Sequence, residues 1–63
     1  MAEQDGIIYE IVTLGNTIKV TAVDETTGTE ISLVMPKNTP LLSIKLAAKR
    51  KLAYVINKNK QST

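Results

Sequence analysis

The fold of this chain is decided by residues 9–35, which read YEIVTLGNTIKVTAVDETTGTEISLVM. Apolar and polar side chains alternate on both sides of two short turn sequences, Gly15-Asn16 and residues 25–28. Alternation with a period of two is typical of strands that bury one face. Gly-Asn favours a tight type I′ or II′ hairpin turn, and Asp24 is placed to accept backbone N–H bonds in the second loop. The stretch therefore predicts three antiparallel strands.

The two turns also predict one common register. If both are hairpin loops, Ile11 faces Val20 and Val20 faces Leu33, while Tyr9 and Ile31 flank Ala22 in the next row. A slip of one residue would turn every side chain of a strand to the opposite face. Because both loops predict the same register, each supports the strand pairing that the other predicts. The predicted inner face comprises Ile7, Tyr9, Ile11, Thr13, Ile18, Val20, Ala22, Ile31, Leu33 and Met35.

A C-terminal helix is predicted after Pro36, which ends the third strand because proline cannot donate to the ladder. Asn38 or Thr39 can cap this helix, and Pro40 fits its first turn. Residues 40 to about 57 are rich in Leu, Ala, Lys and Arg, which favour helix. Apolar residues at spacings of three and four form its core-facing stripe: Leu41, Ile44, Ala48, Leu52 and Val55.

These patterns predict an α+β domain, a three-stranded antiparallel β-meander followed by one C-terminal α-helix packed on one sheet face (βββα). The chain has 63 residues, and that length allows a single domain. We expect order over about residues 6–57 and flexible ends at residues 1–5 and 58–63. A chain of this size buries only about 60% of its unfolded surface, so its core is small.

Two apolar surfaces are left over by this arrangement. On the helix, Leu42, Leu46 and Ala53 form a second line about 100° from the first on a 3.6-residue period. On the sheet, four apolar side chains point away from the helix. Single exposed β-branched residues are ordinary in strands, but monomers rarely expose a contiguous apolar patch. The predicted self-association surface comprises Ile8, Val12, Val23, Val34, Leu42 and Leu46.

Composition argues against catalysis and metal binding. The chain contains no cysteine and no histidine, so thiolate chemistry, the commonest general base and the commonest metal ligand are absent. We predict no catalytic residue, no metal site and no cofactor. No apolar run approaches the roughly 20 residues that span a bilayer, and the acidic residues 1–5 do not resemble a signal peptide. A cytoplasmic protein without membrane partners is expected.

Charge is divided unevenly along the chain. Residues 1–30 contain all six acids and one base, for a charge of −5, whereas residues 31–63 contain seven bases and no acid, for +7. On the outer sheet face, Lys19 lies between Glu10 and Glu30 and is expected to form a cross-strand ion pair. Four helical residues are candidate contacts for a nucleic acid or an acidic partner: Lys45, Lys49, Arg50 and Lys51.

Self-association as a homo-oligomer, most simply a dimer, is the favoured function of this non-enzymatic interaction module. Binding of nucleic acid through the basic helix is the alternative, although the outer sheet face offers only one base for a groove. An accessory role in a larger complex, with an unidentified protein partner, is the second alternative.

Residues 18–36, which read IKVTAVDETTGTEISLVMP, are preceded by Tyr9-Glu-Ile, and a KLAYV run occupies residues 51–55. Together they resemble a family of short bacterial proteins of unknown function that share a KVTAxDxxTGxE hairpin, a proline after the third strand and a Lys/Leu/Ala-rich C-terminal helix. The resemblance covers about residues 7–56. It implies a bacterial, cytoplasmic origin, and it carries over no catalytic or binding residues.

Overall fold

The computed structural model describes residues 6–61, and side chains through Asn59. Strands β1 (Ile7–Leu14), β2 (Thr17–Asp24) and β3 (Glu30–Pro36) precede one helix, α1 (Leu41–Gln61). The strands form an antiparallel sheet in the order β1-β2-β3, and α1 packs on one face of it. The predicted βββα architecture is therefore confirmed. The expected flexibility of residues 1–5, 62 and 63 concerns positions outside the described residues.

The two loops close as the turn chemistry predicts. Gly15 has a φ of 62°, and no non-glycine residue among residues 6–61 has a positive φ, so the first hairpin turn is of type II′. In the second loop, one carboxylate oxygen of Asp24 accepts N–H bonds from Thr26 at 2.8 Å and Thr27 at 3.3 Å. The amide of Gly28, at φ 76°, donates to the Asp24 carbonyl at 2.7 Å. This arrangement is the predicted Asx turn.

The predicted register is confirmed in both strand pairs. Ile11 pairs with Val20, and Val20 pairs with Leu33. The neighbouring row joins Tyr9, Ala22 and Ile31. Val20 and Ala22 in the middle strand, β2, are fully buried, because this strand has a neighbour on each side and the helix above it.

The helix covers the sheet in two apolar clusters. Near the first hairpin, Ile44 packs with Ile18 and Val20. Further along, Ala48 and Leu52 form the second cluster with β-strand residues. That cluster also contains Ile7, Ala22 and Ile31. The helix therefore lies over β2 and β3 and antiparallel to β3.

Three residues predicted for the core are exposed instead. Ile11 and Thr13 point to the helix side of the sheet, but Ile11 is 41% exposed and Thr13 is also exposed. A helix is about 10–12 Å wide and strands are about 4.8 Å apart, so one helix covers roughly two strands and leaves most of β1 open. Leu41, the first helical residue, is 58% exposed. Because Ile44 already packs at the Ile18 end of the sheet, Leu41 lies beyond the sheet, one turn earlier.

Both ends of the helix differ from the prediction. The hydroxyl of Thr39 donates to the Pro36 carbonyl at 2.7 Å and stabilises the turn. Among the described residues, no helix N–H donates to the side chain of Thr39 or of Asn38, so neither predicted cap forms. The first helical bond runs from the Ile44 amide to the Pro40 carbonyl. At the other end the helix continues to Gln61 and does not stop near Asn57, because neither glycine nor proline follows that position to break it.

Candidate interaction surfaces

The outer sheet face is the side of the sheet opposite the helix. It exposes Val34 at 67%, Ile8 at 49% and Val12 at 44%. Val23, also predicted for this surface, is half-buried between its register partners Ile8 and Glu30. No described element covers this face of the sheet. It is therefore a surface of mixed apolar and polar side chains that the fold leaves open to solvent.

Leu14 belongs to the same surface and was missing from the predicted set. It is an exposed residue at the end of β1. Its position is an even number of residues from Ile8 and Val12, so it points to the same side. The alternation of the sequence was sufficient to predict this position, because Leu14 follows the pattern of the residues that point away from the helix. Its inclusion extends the outer sheet face to the first hairpin.

The helix strip is the second exposed apolar surface and consists of Leu42, Leu46 and Ala53. Leu42 is 70% exposed, and Leu46 and Ala53 are exposed as well. At 100° per residue, the strip centres about 140° from buried Ala48 on the helix, so the expected separation of about 100° was too small. It therefore points away from the sheet. The outer sheet face and the helix strip lie on opposite sides of the molecule.

Three charged side chains accompany the apolar groups of the outer sheet face, and all are exposed: Glu10, Lys19 and Glu30. The predicted cross-strand ion pair is absent, since none of the three pairs with another described residue. Lys19 lies opposite Val12 and Val34, whereas Glu10 lies opposite Thr21. Lys19 and Glu10 are thus diagonal neighbours, a relation that separates their backbones by about 7–8 Å.

The basic residues of the helix do not form one patch. The Lys45 ammonium lies 5.4 Å from the centre of the Tyr9 ring, a cation–π distance, on the β1 side. The Lys51 ammonium donates a long bond of 3.4 Å to the Ser32 carbonyl on the β3 side. Lys49 also takes part in a polar contact within the chain, while Arg50 is exposed. The four side chains therefore spread around the helix.

Within the part of the chain that the structure describes, no three His, Cys, Asp or Glu side chains lie close enough to hold a metal ion. No helix in residues 6–61 has both the length and the apolar character that crossing a membrane requires.

Comparison with known proteins supplies a family. Curated proteins and solved structures gave no match to this chain. Residues 4–59 match the family described as "Domain of unknown function (DUF6898)". The match includes the whole sheet and all but the end of the helix. This chain therefore belongs to the DUF6898 family of domains of unknown function.

Proposed function

We propose that this DUF6898 domain is a non-enzymatic interaction module that self-associates, most simply as a homodimer. The observation that carries the proposal is the outer sheet face, where Ile8, Val12, Leu14 and Val34 are exposed together. Exposed apolar groups gathered on one face and accompanied by polar residues mark sites of association. A second copy of the chain is the simplest partner, because it is always present at the same concentration as the first.

The small core supports the same proposal. Eight hydrophobic residues are buried, and nine large hydrophobic side chains are exposed in the described part of the chain. A chain of this length buries a smaller fraction of its surface than a larger domain does. Without cysteine it has no disulfide to compensate, and association is one of the remaining ways to stabilise a small scaffold. Burial between two copies would therefore add to the stability of each.

Self-association is preferred to nucleic-acid binding because of what the basic side chains already contact. Lys45 lies over Tyr9, and Lys51 reaches the Ser32 carbonyl, so both would have to give up internal contacts to reach phosphates. The outer sheet face carries two acids and one base, which disfavours insertion into a groove of DNA. The proposal retains the bacterial, cytoplasmic setting that the family resemblance implies.

The proposal is tested by light scattering on a dilution series of the full chain. The expected result is a mass that falls from dimer to monomer as the protein is diluted. Val12→Lys, which places a charge on the outer sheet face, should shift this transition to higher concentration. Thr26→Lys is the matched control, because it adds the same charge in an exposed loop and Thr26 contributes only its backbone amide to the loop hydrogen bonds. A folded monomer at every concentration contradicts the proposal.

Two further measurements distinguish the alternatives. Nucleic-acid binding would give an affinity for duplex or single-stranded DNA or RNA that falls steeply with salt, because released counterions drive phosphate binding. An accessory subunit would remain monomeric and co-purify with one specific protein from its host. Leu46→Glu tests the helix strip in the same dilution series, and we expect it to behave like the loop control.

A further inference from the structure

The outer sheet face is organised in rows that the strand register defines. Each row contains one residue from each strand, and the four rows follow one another from the end with the second loop to the first hairpin. The rows are Ile8-Val23-Glu30, Glu10-Thr21-Ser32, Val12-Lys19-Val34 and Leu14-Thr17-Pro36. The two middle rows therefore carry opposite charges, Glu10 in one and Lys19 in the next.

Neither of these two charges is neutralised by another residue of the part that the structure describes. Glu10 and Lys19 are exposed and lack an ion-pair partner among the described residues. Thr21 and Ser32, which complete the Glu10 row, bond to each other at 3.5 Å through their hydroxyls. The middle of this face thus presents an acidic row and a basic row side by side, which is the arrangement of a self-complementary surface.

The size of the face fits a weak association. Three strands about 4.8 Å apart and eight residues long at about 3.4 Å each give roughly 400 Å² in projection. Two such faces in contact bury on the order of 800–1,000 Å² in total, below the roughly 1,200 Å² of a stable specific interface and in the range of transient ones. An interface of this size predicts a weak and reversible dimer, which is the behaviour that a dilution series detects.

We propose that the outer sheet face binds the same face of a second copy, with a twofold axis between the sheets that runs across the strands and passes between the two middle rows. This inference rests on the proposed self-association and specifies its surface and orientation. Under this axis the two middle rows exchange places, so each Lys19 lies over the Glu10-Thr21-Ser32 row of the other copy. Two symmetric contacts between Lys19 and Glu10 of the second copy follow.

The competing orientation is disfavoured by charge. A twofold axis that runs along β2 would place each row over itself, so Lys19 would face Lys19 of the second copy. Like charges that face each other across an interface are unfavourable. The axis across the strands also brings Ile8 over Leu14 of the second copy, so the two outer rows of β1 bury apolar groups against each other. The charge pattern therefore selects this orientation.

Charge exchange in the full chain tests this orientation. Glu10→Lys and Lys19→Glu should each raise the dissociation constant of the dimer at least tenfold, because each places like charges opposite one another. The double exchange Glu10→Lys/Lys19→Glu should restore the dissociation constant to within about threefold of the original. Glu25→Lys, which makes the same charge change in an exposed loop, should leave it within threefold. Sedimentation velocity gives the constants, and circular dichroism confirms that each variant is folded.

The outcomes separate this inference from the proposed function. If the unmodified chain dimerises but the single exchanges have no effect, or the double exchange stays as weak as the singles, the orientation is wrong while self-association stands. If the unmodified chain is a monomer throughout the concentration range, both are wrong. Recovery in the double exchange supports the orientation, because only a pair of groups that meet in the dimer can compensate each other in its dissociation constant.

Discussion

The position of the helix on the sheet predicts a large difference between two identical substitutions. Leu52 is 2% exposed and lies in the core cluster with Ala22 and Ile31, whereas Leu46 is 57% exposed. Both are interior positions of the same helix, so Leu52→Ala and Leu46→Ala change helix propensity equally. The difference between the two variants therefore measures burial.

The expected magnitude follows from the packing. Truncation of a buried leucine to alanine costs about 2–5 kcal/mol, since it removes apolar contacts and leaves a cavity. A substitution at an exposed position changes the free energy of unfolding by about 0.5 kcal/mol or less. At about 0.05–0.15 kcal/mol per residue, a chain of this length has a total stability of roughly 3–9 kcal/mol. Leu52→Ala should therefore remove a large part of it, and Leu46→Ala very little.

Urea denaturation followed by circular dichroism at 222 nm measures both variants at one protein concentration. With a slope near 1 kcal/mol per molar urea for a small domain, the midpoint of Leu52→Ala should lie about 2 M or more below that of Leu46→Ala. If Leu52→Ala is unfolded without urea, the direction is the same and the difference is larger. Equal midpoints would refute the helix placement, because they would mean that the two faces of the helix are equally buried.

Three pairs of substitutions test local features by the same urea assay. Gly15→Ala should lower the free energy of unfolding by about 1–3 kcal/mol, because alanine is strained at a positive φ, while Asn16→Ala should cost less. Asp24→Ala should lower the free energy of unfolding by about 1 kcal/mol, because the loop hydrogen bonds are lost. Asp24→Asn should retain most of that stability, since an amide oxygen can accept the same bonds. Equal losses in the two variants would contradict the Asx turn. Ile11→Ala should cost less than Val20→Ala, since the helix leaves β1 uncovered, and the reverse order would contradict that geometry.

The strand register was predictable because two independent turns agreed on it. Gly15 and Gly28 both occupy positions with positive φ, and the loops they close place Val20 and Ala22 on one face. The lateral position of the helix was not predictable. Alternation specifies which face a side chain occupies, but it does not specify which strands a single helix will cover. Ile11 was therefore assigned to the correct face, but its burial was wrong.

Helix ends and side-chain contacts were less predictable, for related reasons. Thr39 can bond to nearby backbone groups as well as cap a helix, and its hydroxyl donates to the Pro36 carbonyl, a local bond that is common for threonine. The contacts of Lys45 with Tyr9 and of Lys51 with Ser32 depend on the rotation of the helix about its axis. The exposed apolar residues were predictable, because exposure on an outer face follows directly from the two-residue period.

The most direct test of the account asks which methyl groups lose contact with water when the protein is concentrated. A soluble paramagnetic agent broadens the NMR signals of exposed methyls, and spectra recorded in dilute and concentrated solution can be compared. The account predicts that Val12 and Val34 become protected at high concentration, while Leu42 and Leu46 remain broadened. Unchanged broadening of Val12 and Val34, or protection of the leucines in their place, would contradict it.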